Sequence, residues 1–209
     1  MLDSLFKIVF LIGFIAGSVI RKIYTRRRRR DESFERRHTV ADTLVLALSG
    51  VGLIVLPLLY VFSSWLDFAD YDMPAPASHA AGWTGAVVFA AALWLLWHAH
   101  VDLGQHWSPT VEVHVDHTLV TEGVYRHIRH PMYAAHFLWG IAQALLLQNW
   151  ITGPALLVVF GPFCFVRVPR EEQMMIDHFG DAYRDYIRRT GCMLPMLRRR
   201  VEEAPTDDQ

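Results

Sequence analysis

The sequence predicts an all-α, polytopic integral membrane protein with about five transmembrane helices, a cytoplasmic connection and a C-terminal amphipathic helix. Its 209 residues are 53% hydrophobic, and the mean hydropathy of +0.21 is high for a soluble domain. Several apolar runs approach the roughly 20 residues that a helix needs to cross a bilayer. They lie at residues 5–20, 43–66, 82–103, 133–150 and 154–168.

Basic residues indicate the orientation of these runs. Of the 20 Lys and Arg residues, only Lys7 falls outside the segments that we assign to the cytoplasm. The opposite connections, residues 67–81 and 148–153, contain neither Lys nor Arg, as expected on the far side of a membrane. Five crossings with the N-terminus outside and the C-terminus in the cytoplasm satisfy this pattern. If the first run does not span, the other runs keep their orientation.

The first run has a second interpretation, a signal peptide with small residues at 16–18 before a cleavage site. The five arginines at 26–30 oppose it, because such charge resists translocation and normally precedes the apolar stretch. The same block is compatible with nucleic-acid binding. Beside a membrane helix it is better explained by contact with anionic lipid. We therefore predict membrane lipids as partners, and no nucleic acid.

The chain divides into three regions in this interpretation. Residues 1–102 hold the first three helices and a basic cytoplasmic loop. Residues 103–197 form a catalytic region, with a polar connection, a helical hairpin and an amphipathic helix over 171–189. Residues 198–209 form a tail that we expect to be disordered, and its segment over residues 202–209 is acidic. The two cysteines are too few for a disulfide framework and lack metal-ligand spacing, so we assign no metal ligand.

Two polar clusters flank the hairpin of the last two apolar runs. Arg129-His130-Pro131-Met132-Tyr133 precedes it and Glu171-Glu172 follows it, so a tight turn would bring both clusters to one membrane boundary. Pro131 suits the first turn of a helix, and a helix N-terminus favours anions. The glutamates favour a cation, and together the clusters predict a site for a zwitterionic ligand. The alternative is a set of interfacial side chains in ion pairs.

These motifs resemble the isoprenylcysteine carboxyl methyltransferase family, and the resemblance covers approximately residues 103–197. The first part of the pattern is His117, Leu119-Val120-Thr121, Gly123, Tyr125 and Arg129-His130-Pro131-x-Tyr133. The second part is Arg167-x-x-Arg170-Glu171-Glu172, Phe179-Gly180-x-x-Tyr183-x-x-Tyr186 and Leu194-Pro195. The related phospholipid N-methyltransferases share this kind of paired motif.

The resemblance implies that the site binds S-adenosylmethionine. By that analogy the residues lining the cofactor are His117, Leu119, Val120, Gly123 and Tyr125. The residues holding its polar end are Arg129, His130 and Tyr133, and Glu171 and Glu172 complete the pocket. As catalytic residues we predict Arg167 and Arg170, whose guanidinium groups can grip a substrate carboxylate, together with Glu171.

The implied reaction is methylation of a carboxylate on a lipophilic or prenylated acceptor that enters from the bilayer, at a site facing the cytoplasm. A phospholipid or small-molecule amine or thiol is an alternative acceptor. It would need deprotonation, for which Glu171, Glu172 or His130 are candidates.

Two other classes compete with the methyltransferase. The histidine pairs His114-x-x-His117 and His127-x-x-His130 are compatible with a di-iron membrane hydroxylase, although the sequence lacks a paired His-His box. A scaffold or transporter subunit is the non-enzymatic alternative. The charges gather at one boundary instead of lining a path across the membrane, and no inverted repeat is visible.

Overall fold

The computed structural model describes residues 2–27, 44, 47–104 and 119–196. Within these ranges the chain is helical, with two isolated β-bridges and no strand, which confirms the predicted all-α class. The helices are α1 (Leu2–Arg27), α2 (Ala47–Phe62), α3 (Ala75–Leu103), α4 (Pro131–Leu147), α5 (Ala155–Phe179) and α6 (Asp181–Arg189). Short 3-10 turns lie at Asp67–Ala69 and Gly123–Arg126. His117 and the C-terminal tail, residues 198–209, lie outside the described residues.

In the part of the chain that the structure describes, two helices are long and apolar enough to cross a membrane by length and composition. They are α1, over Ser4–Tyr24, and the 29-residue α3. The helices α2 and α4 are apolar but shorter, and the 17 residues of α4 extend about 25 Å at 1.5 Å each. The predicted number of about five crossings therefore stays a prediction.

Two helix boundaries differ from the predicted ones. The third apolar run was expected to begin at residue 82, whereas α3 begins at Ala75, where prolines occupy the first turn and lose no helical hydrogen bond. The predicted single helix over 171–189 is wrong in extent. Its first half continues α5 to Phe179, and Gly180 then separates it from α6. Gly180 has φ 58° and ψ −128°, a conformation that only glycine adopts readily.

The core lies where α1 crosses the packed pair of α3 and α4. Phe10, Phe89 and Trp139 form a continuous aromatic cluster, in which Phe10 stacks on Phe89 with ring centroids 5.8 Å apart and Phe89 meets Trp139 edge to face at 4.9 Å. Gly13 lies against the Phe89 ring and Gly17 against Trp139, and a Cβ at either position would collide with the ring. Small residues of this kind let helices approach closely in a bilayer, where packing rather than water exclusion drives association.

A buried asparagine closes the hairpin between α4 and α5. The Asn149 amide nitrogen donates to Leu66 O at 2.7 Å and to Asp70 Oδ1 at 2.9 Å. Its amide oxygen accepts from the backbone N–H groups of Ile151 and Thr152, each at 3.0 Å. This network holds α4 and α5 antiparallel, so the start of α4 and the second half of α5 lie at the same end of the molecule.

The Asn149→Ala variant is expected to lose about 2–4 kcal/mol of unfolding free energy, since it removes the hydrogen bonds of a fully buried side chain, worth roughly 1 kcal/mol each. Thermal unfolding in detergent measures this loss. Gln173→Ala is the matched control, because Gln173 makes one exposed hydrogen bond, to Asp177. Equal stability of the two variants would contradict the role of Asn149.

Candidate active site

The loop before α4 is joined to the segment that follows α6. The backbone N–H groups of Arg129 and His130 donate to Gly191 O at 2.8 Å and Cys192 O at 2.9 Å, and Gly191 N–H donates to His127 O at 3.1 Å. Ile128 and Gly191 form a parallel bridge. The amides of Arg129 and His130 therefore hold the C-terminal segment in place, and they do not point at an anion at this helix start.

The two polar clusters meet, as predicted from the hairpin. Tyr133 Oη donates to Glu171 Oε1 at 2.6 Å, and Arg167 Nε donates to the same oxygen at 2.6 Å. Arg129 Nε donates to Glu172 Oε1 at 2.8 Å, and His130 Nε2 lies 3.3 Å from that oxygen. Each glutamate of α5 thus receives partners from the beginning of α4 or the preceding loop.

Arg129 connects three segments of the chain. Besides Glu172, its guanidinium donates to the carbonyl oxygens of Ile187, at 3.3 Å, and Thr190. The side chain is 9% exposed and that of Glu172 is 20% exposed. The ion pairs of the interfacial alternative are present, but they form a partly buried wall rather than an open surface.

This wall changes the ionisation of its neighbours. Burial alone would raise the pKa of Glu172, but hydrogen bonds and positive charge from His130 and Arg129 outweigh it and lower the pKa from its ordinary value. Burial raises the pKa of the Tyr183 phenol, and the Glu172 charge adds to that rise. At neutral pH the site therefore presents an ionised Glu172 beside a neutral Tyr183.

A cavity of about 640 Å³ opens behind these groups. Its polar end is lined by Arg129, His130, Tyr133, Arg167 and Glu171. The rest of the lining is mainly apolar and comes from five helices, with Phe14, Leu53, Ile54, Leu96, Trp139, Leu156 and Phe160 among its residues, and we call this part of the cavity the apolar arm. One cavity therefore joins a charged pocket to an apolar space between helices.

Most of the predicted site residues that the structure describes line this cavity. They are Leu119, Val120, Tyr125, Arg129, His130, Tyr133, Arg167 and Glu171. Glu172 does not line the cavity, but its carboxylate contacts Arg129 and His130, which do. Gly123 lies outside the lining, in a turn with φ 59°. The next residue, Val124, donates its backbone N–H to Asp102 Oδ2 at 2.8 Å.

The two predicted catalytic arginines differ in position. Arg167 is 5% exposed and lines the cavity, and its guanidinium lies over the Phe163 ring at 5.1 Å. Arg170 lies on the exposed face of α5 and is absent from the cavity wall. Both roles stay predictions, and the placement favours Arg167.

Some cavity residues were not anticipated from the sequence. Arg21, His100 and His136 come from α1, α3 and α4. Arg21 directly follows the first predicted apolar run, residues 5–20, and was assigned to the basic loop. No local sequence pattern distinguishes His100 and His136 from histidines that only pack in the core. Tyr186 also lines the cavity, and its hydroxyl donates to Tyr125 O at 2.6 Å. Its spacing from Tyr183 in the resemblance motif was the available signal.

The fold and the site define a helical protein with a zwitterion-compatible pocket that opens into an apolar cavity. Residues 83–177 match the family model "Isoprenylcysteine carboxyl methyltransferase (ICMT) family". This match confirms the resemblance that the motifs predicted.

Individual relatives agree with the family match. The chain is 33% identical over 101 residues to the Protein-S-isoprenylcysteine O-methyltransferase of Schizosaccharomyces pombe, covering 47% of this chain and 43% of the relative. It is 32% identical over 141 residues to the human protein of that name, covering 65% of this chain and 50% of the relative. The chain spans about half the length of the curated relatives it matches.

The fold has a counterpart among solved structures. It is the eukaryotic intramembrane Ras methyltransferase ICMT, with a TM-score of 0.51 and 24% sequence identity, covering 90% of this chain and 62% of that one. At this identity the likeness shows the fold.

The contribution of the Arg129–Glu172 pair to stability should depend on pH. The pKa of Glu172 is lowered from 4.5, so the stabilisation is fully present above that value and is lost as the pH falls through the folded-state pKa. Glu172→Gln is therefore expected to destabilise the protein at neutral pH and to show a smaller stability loss on acidification. Thermal unfolding at about pH 7 and about pH 4 measures both. Parallel pH profiles in the two proteins would contradict this expectation.

Proposed function

We propose that the protein is an S-adenosylmethionine-dependent integral membrane methyltransferase that methylates a carboxylate on a lipophilic acceptor. Its activity would be most like that of a protein-S-isoprenylcysteine O-methyltransferase. The observation that carries the proposal is the single cavity that joins the Arg129–Glu171 pocket to an apolar arm between the helices. A charged methyl donor and a lipid acceptor need such a pair of adjoining environments.

The chemistry of the lining residues fits S-adenosylmethionine. Its amino-acid end is a zwitterion, for which Arg129, His130 and Tyr133 on one side and Glu171 on the other offer complementary groups. Leu119, Val120 and Tyr125 offer apolar surface and backbone groups for the rest of the molecule. The volume of about 640 Å³ is within the usual range of small-molecule sites. When bound, the cofactor supplies a methyl group already activated by its sulfonium.

The residues around Arg167 suit an acceptor carboxylate. Arg167 is buried, it lies beside the apolar arm, and Glu171 fixes its Nε. A guanidinium held in this way can orient a carboxylate in a bidentate contact. A carboxylate is ionised near neutral pH, so it needs no strong base. The apolar arm excludes water from the reacting groups, which strengthens their electrostatic interactions.

The outer surface supports a location in the membrane. Large apolar side chains are exposed on the outside of the helices, including Ile12 and Ile15 of α1, Trp94 of α3, and Val158 and Phe165 of α5. Exposed apolar surface of this kind suits contact with lipid. Together with the distribution of Lys and Arg, it supports a multi-pass protein whose site faces the cytoplasm and whose acceptor enters from the bilayer.

His136 favours a second candidate function, an N- or S-methyltransferase for a lipid or small-molecule acceptor. The ring lines the cavity, and its Nδ1 lies 2.7 Å from Met132 O. Because a carbonyl oxygen only accepts, Nδ1 carries the hydrogen and Nε2 of the neutral ring can accept a proton. An amine or thiol acceptor needs such a base, whereas a carboxylate does not.

The direct test uses the full chain, purified in detergent, with methyl-labelled S-adenosylmethionine and a panel of prenylcysteines, lipid amines and hydrophobic thiols. The proposal expects label in a base-labile methyl ester of a prenylcysteine. Label in an amine or thioether would select the second candidate. Failure to bind the cofactor and to label any acceptor would overturn both candidates.

Arg129→Ala and Glu171→Ala should each weaken S-adenosylmethionine binding by at least about 100-fold, because each removes a charged group that is proposed to pair with the zwitterion, at a cost of roughly 3 kcal/mol. Equilibrium dialysis measures the affinity, and thermal unfolding confirms that the variants fold. Arg184→Ala is the control, since Arg184 makes an exposed ion pair with Asp181 on α6. Cofactor affinity that is unchanged in both site variants would contradict the assignment.

Arg167 and Arg170 form a matched pair for the acceptor site. Arg167→Ala is expected to lower kcat at least tenfold while the cofactor Kd changes less, because its guanidinium is proposed to contact the acceptor. Arg170→Ala should keep nearly full turnover, since that side chain lies outside the cavity. Steady-state methylation and equilibrium dialysis on both variants separate the two effects. Equal losses of turnover in Arg167→Ala and Arg170→Ala would contradict the proposal that Arg167 contacts the acceptor because it lines the cavity.

A further inference from the structure

Three side chains of different chemistry converge beside the proposed pocket. They are His130 from the loop before α4, Glu172 from α5 and Cys192 from the segment after α6. One ligand atom from each lies within 4.8 Å of the others, and all three residues are half-buried. The proposed function gives roles to His130 and Glu172 but none to the thiol of Cys192.

One backbone hydrogen bond and one side-chain contact relate the three positions. His130 N–H donates to Cys192 O at 2.9 Å, so the histidine and the cysteine are held on adjacent segments. His130 Nε2 lies 3.3 Å from Glu172 Oε1, which places the carboxylate on the imidazole. The three groups therefore surround one small region at the junction of these segments.

The donor set suits a transition-metal ion. Imidazole nitrogen, thiolate sulfur and carboxylate oxygen bind Zn²⁺ at about 2.0–2.3 Å in tetrahedral geometry, and sites with three protein ligands keep water in the fourth position. Ligand atoms in such a tetrahedron are about 3.3–3.8 Å apart, and the three ligand atoms here lie within 4.8 Å of one another. A thiolate also selects against Mg²⁺ and Ca²⁺, which prefer oxygen.

We propose that His130, Glu172 and Cys192 bind one divalent ion of the zinc type, and that this ion competes with the cofactor. Only the competition rests on the proposed function. On binding, the Cys192 S–H bond breaks, a metal–sulfur bond forms and the proton passes to water. The metal replaces Arg129 as the partner of Glu172, while Arg129 keeps its contacts to the Ile187 and Thr190 carbonyls.

Occupation of this site would change the pocket directly. It withdraws the His130 ring and the Glu172 carboxylate from the charge network around Arg129. It also ties the C-terminal segment to α5 through a metal bond. The cofactor would then meet a pocket that lacks one imidazole and carries additional positive charge, so its affinity falls.

Cadmium is a suitable probe, because a cadmium–thiolate bond has an ultraviolet charge-transfer absorbance. Titration of the full-length protein in detergent, without cofactor, is expected to give this band at one equivalent. Cys192→Ser should abolish the band, and Glu172→Gln should weaken binding at least tenfold. Cys164→Ala is the matched control, because Cys164 is the other cysteine and is buried in the core, and it should keep the band. Absence of the band, or its persistence in Cys192→Ser, would overturn the site.

A second measurement does not depend on the folding of any variant. Zn²⁺ added to the unaltered protein should slow alkylation of Cys192 at least tenfold, as located by mass spectrometry, and a chelator should restore the rate. Unchanged alkylation would overturn the site.

Competition is tested separately, with S-adenosylmethionine binding at increasing Zn²⁺. The apparent Kd should rise at least tenfold in the unaltered protein and stay constant in Cys192→Ser. Zinc binding without a change in Kd would overturn the competition and leave the metal site standing. Zinc binding in a protein that never binds S-adenosylmethionine would overturn the proposed function and the competition, but not the metal site.

Discussion

The Arg129–Glu172 ion pair is the contact on which the rest of the site depends. Its guanidinium lies in the loop before α4, its carboxylate lies on α5, and the same guanidinium holds two carbonyls at the end of α6. Three segments that are distant in sequence are therefore tied at a single side chain. The contact of Tyr133 with Glu171 and the backbone bond between His130 and Cys192 lie at the same junction.

The hairpin and its charged ends were predictable from the sequence, because charge is excluded from the interior of an apolar helix and gathers at its ends. The hydrogen-bond partners of the site residues were less predictable from the sequence. The sequence suggested that Arg129 and Glu172 meet, but not that the Arg129 and His130 amides pair with residues 191 and 192. Such a bridge depends on the path of the chain after Gly180. The positive φ of Gly180 sets the direction in which α6 leaves α5.

The cavity wall could not be predicted for a different physical reason. Arg21, His100 and His136 belong to three helices, and only helix packing brings them to the same space. The close approach of α1 at Gly13 and Gly17 controls this packing. The family match begins at residue 83, so α1 and α2 supply part of the apolar arm from outside the matched segment. The charged pocket lies mostly within the matched segment, whereas the part of the arm that α1 and α2 supply lies outside it.

The position of α6 has an electrical consequence for the pocket. A helix carries a partial negative charge at its C-terminal end, and the carbonyls that Arg129 binds lie at the end of α6. Their dipoles offset part of the guanidinium charge. The neighbouring carboxylates therefore keep more of their negative potential than a simple count of two arginines against two glutamates indicates. In this way a site that contains two arginines can still have a potential negative enough to bind a positively charged sulfur.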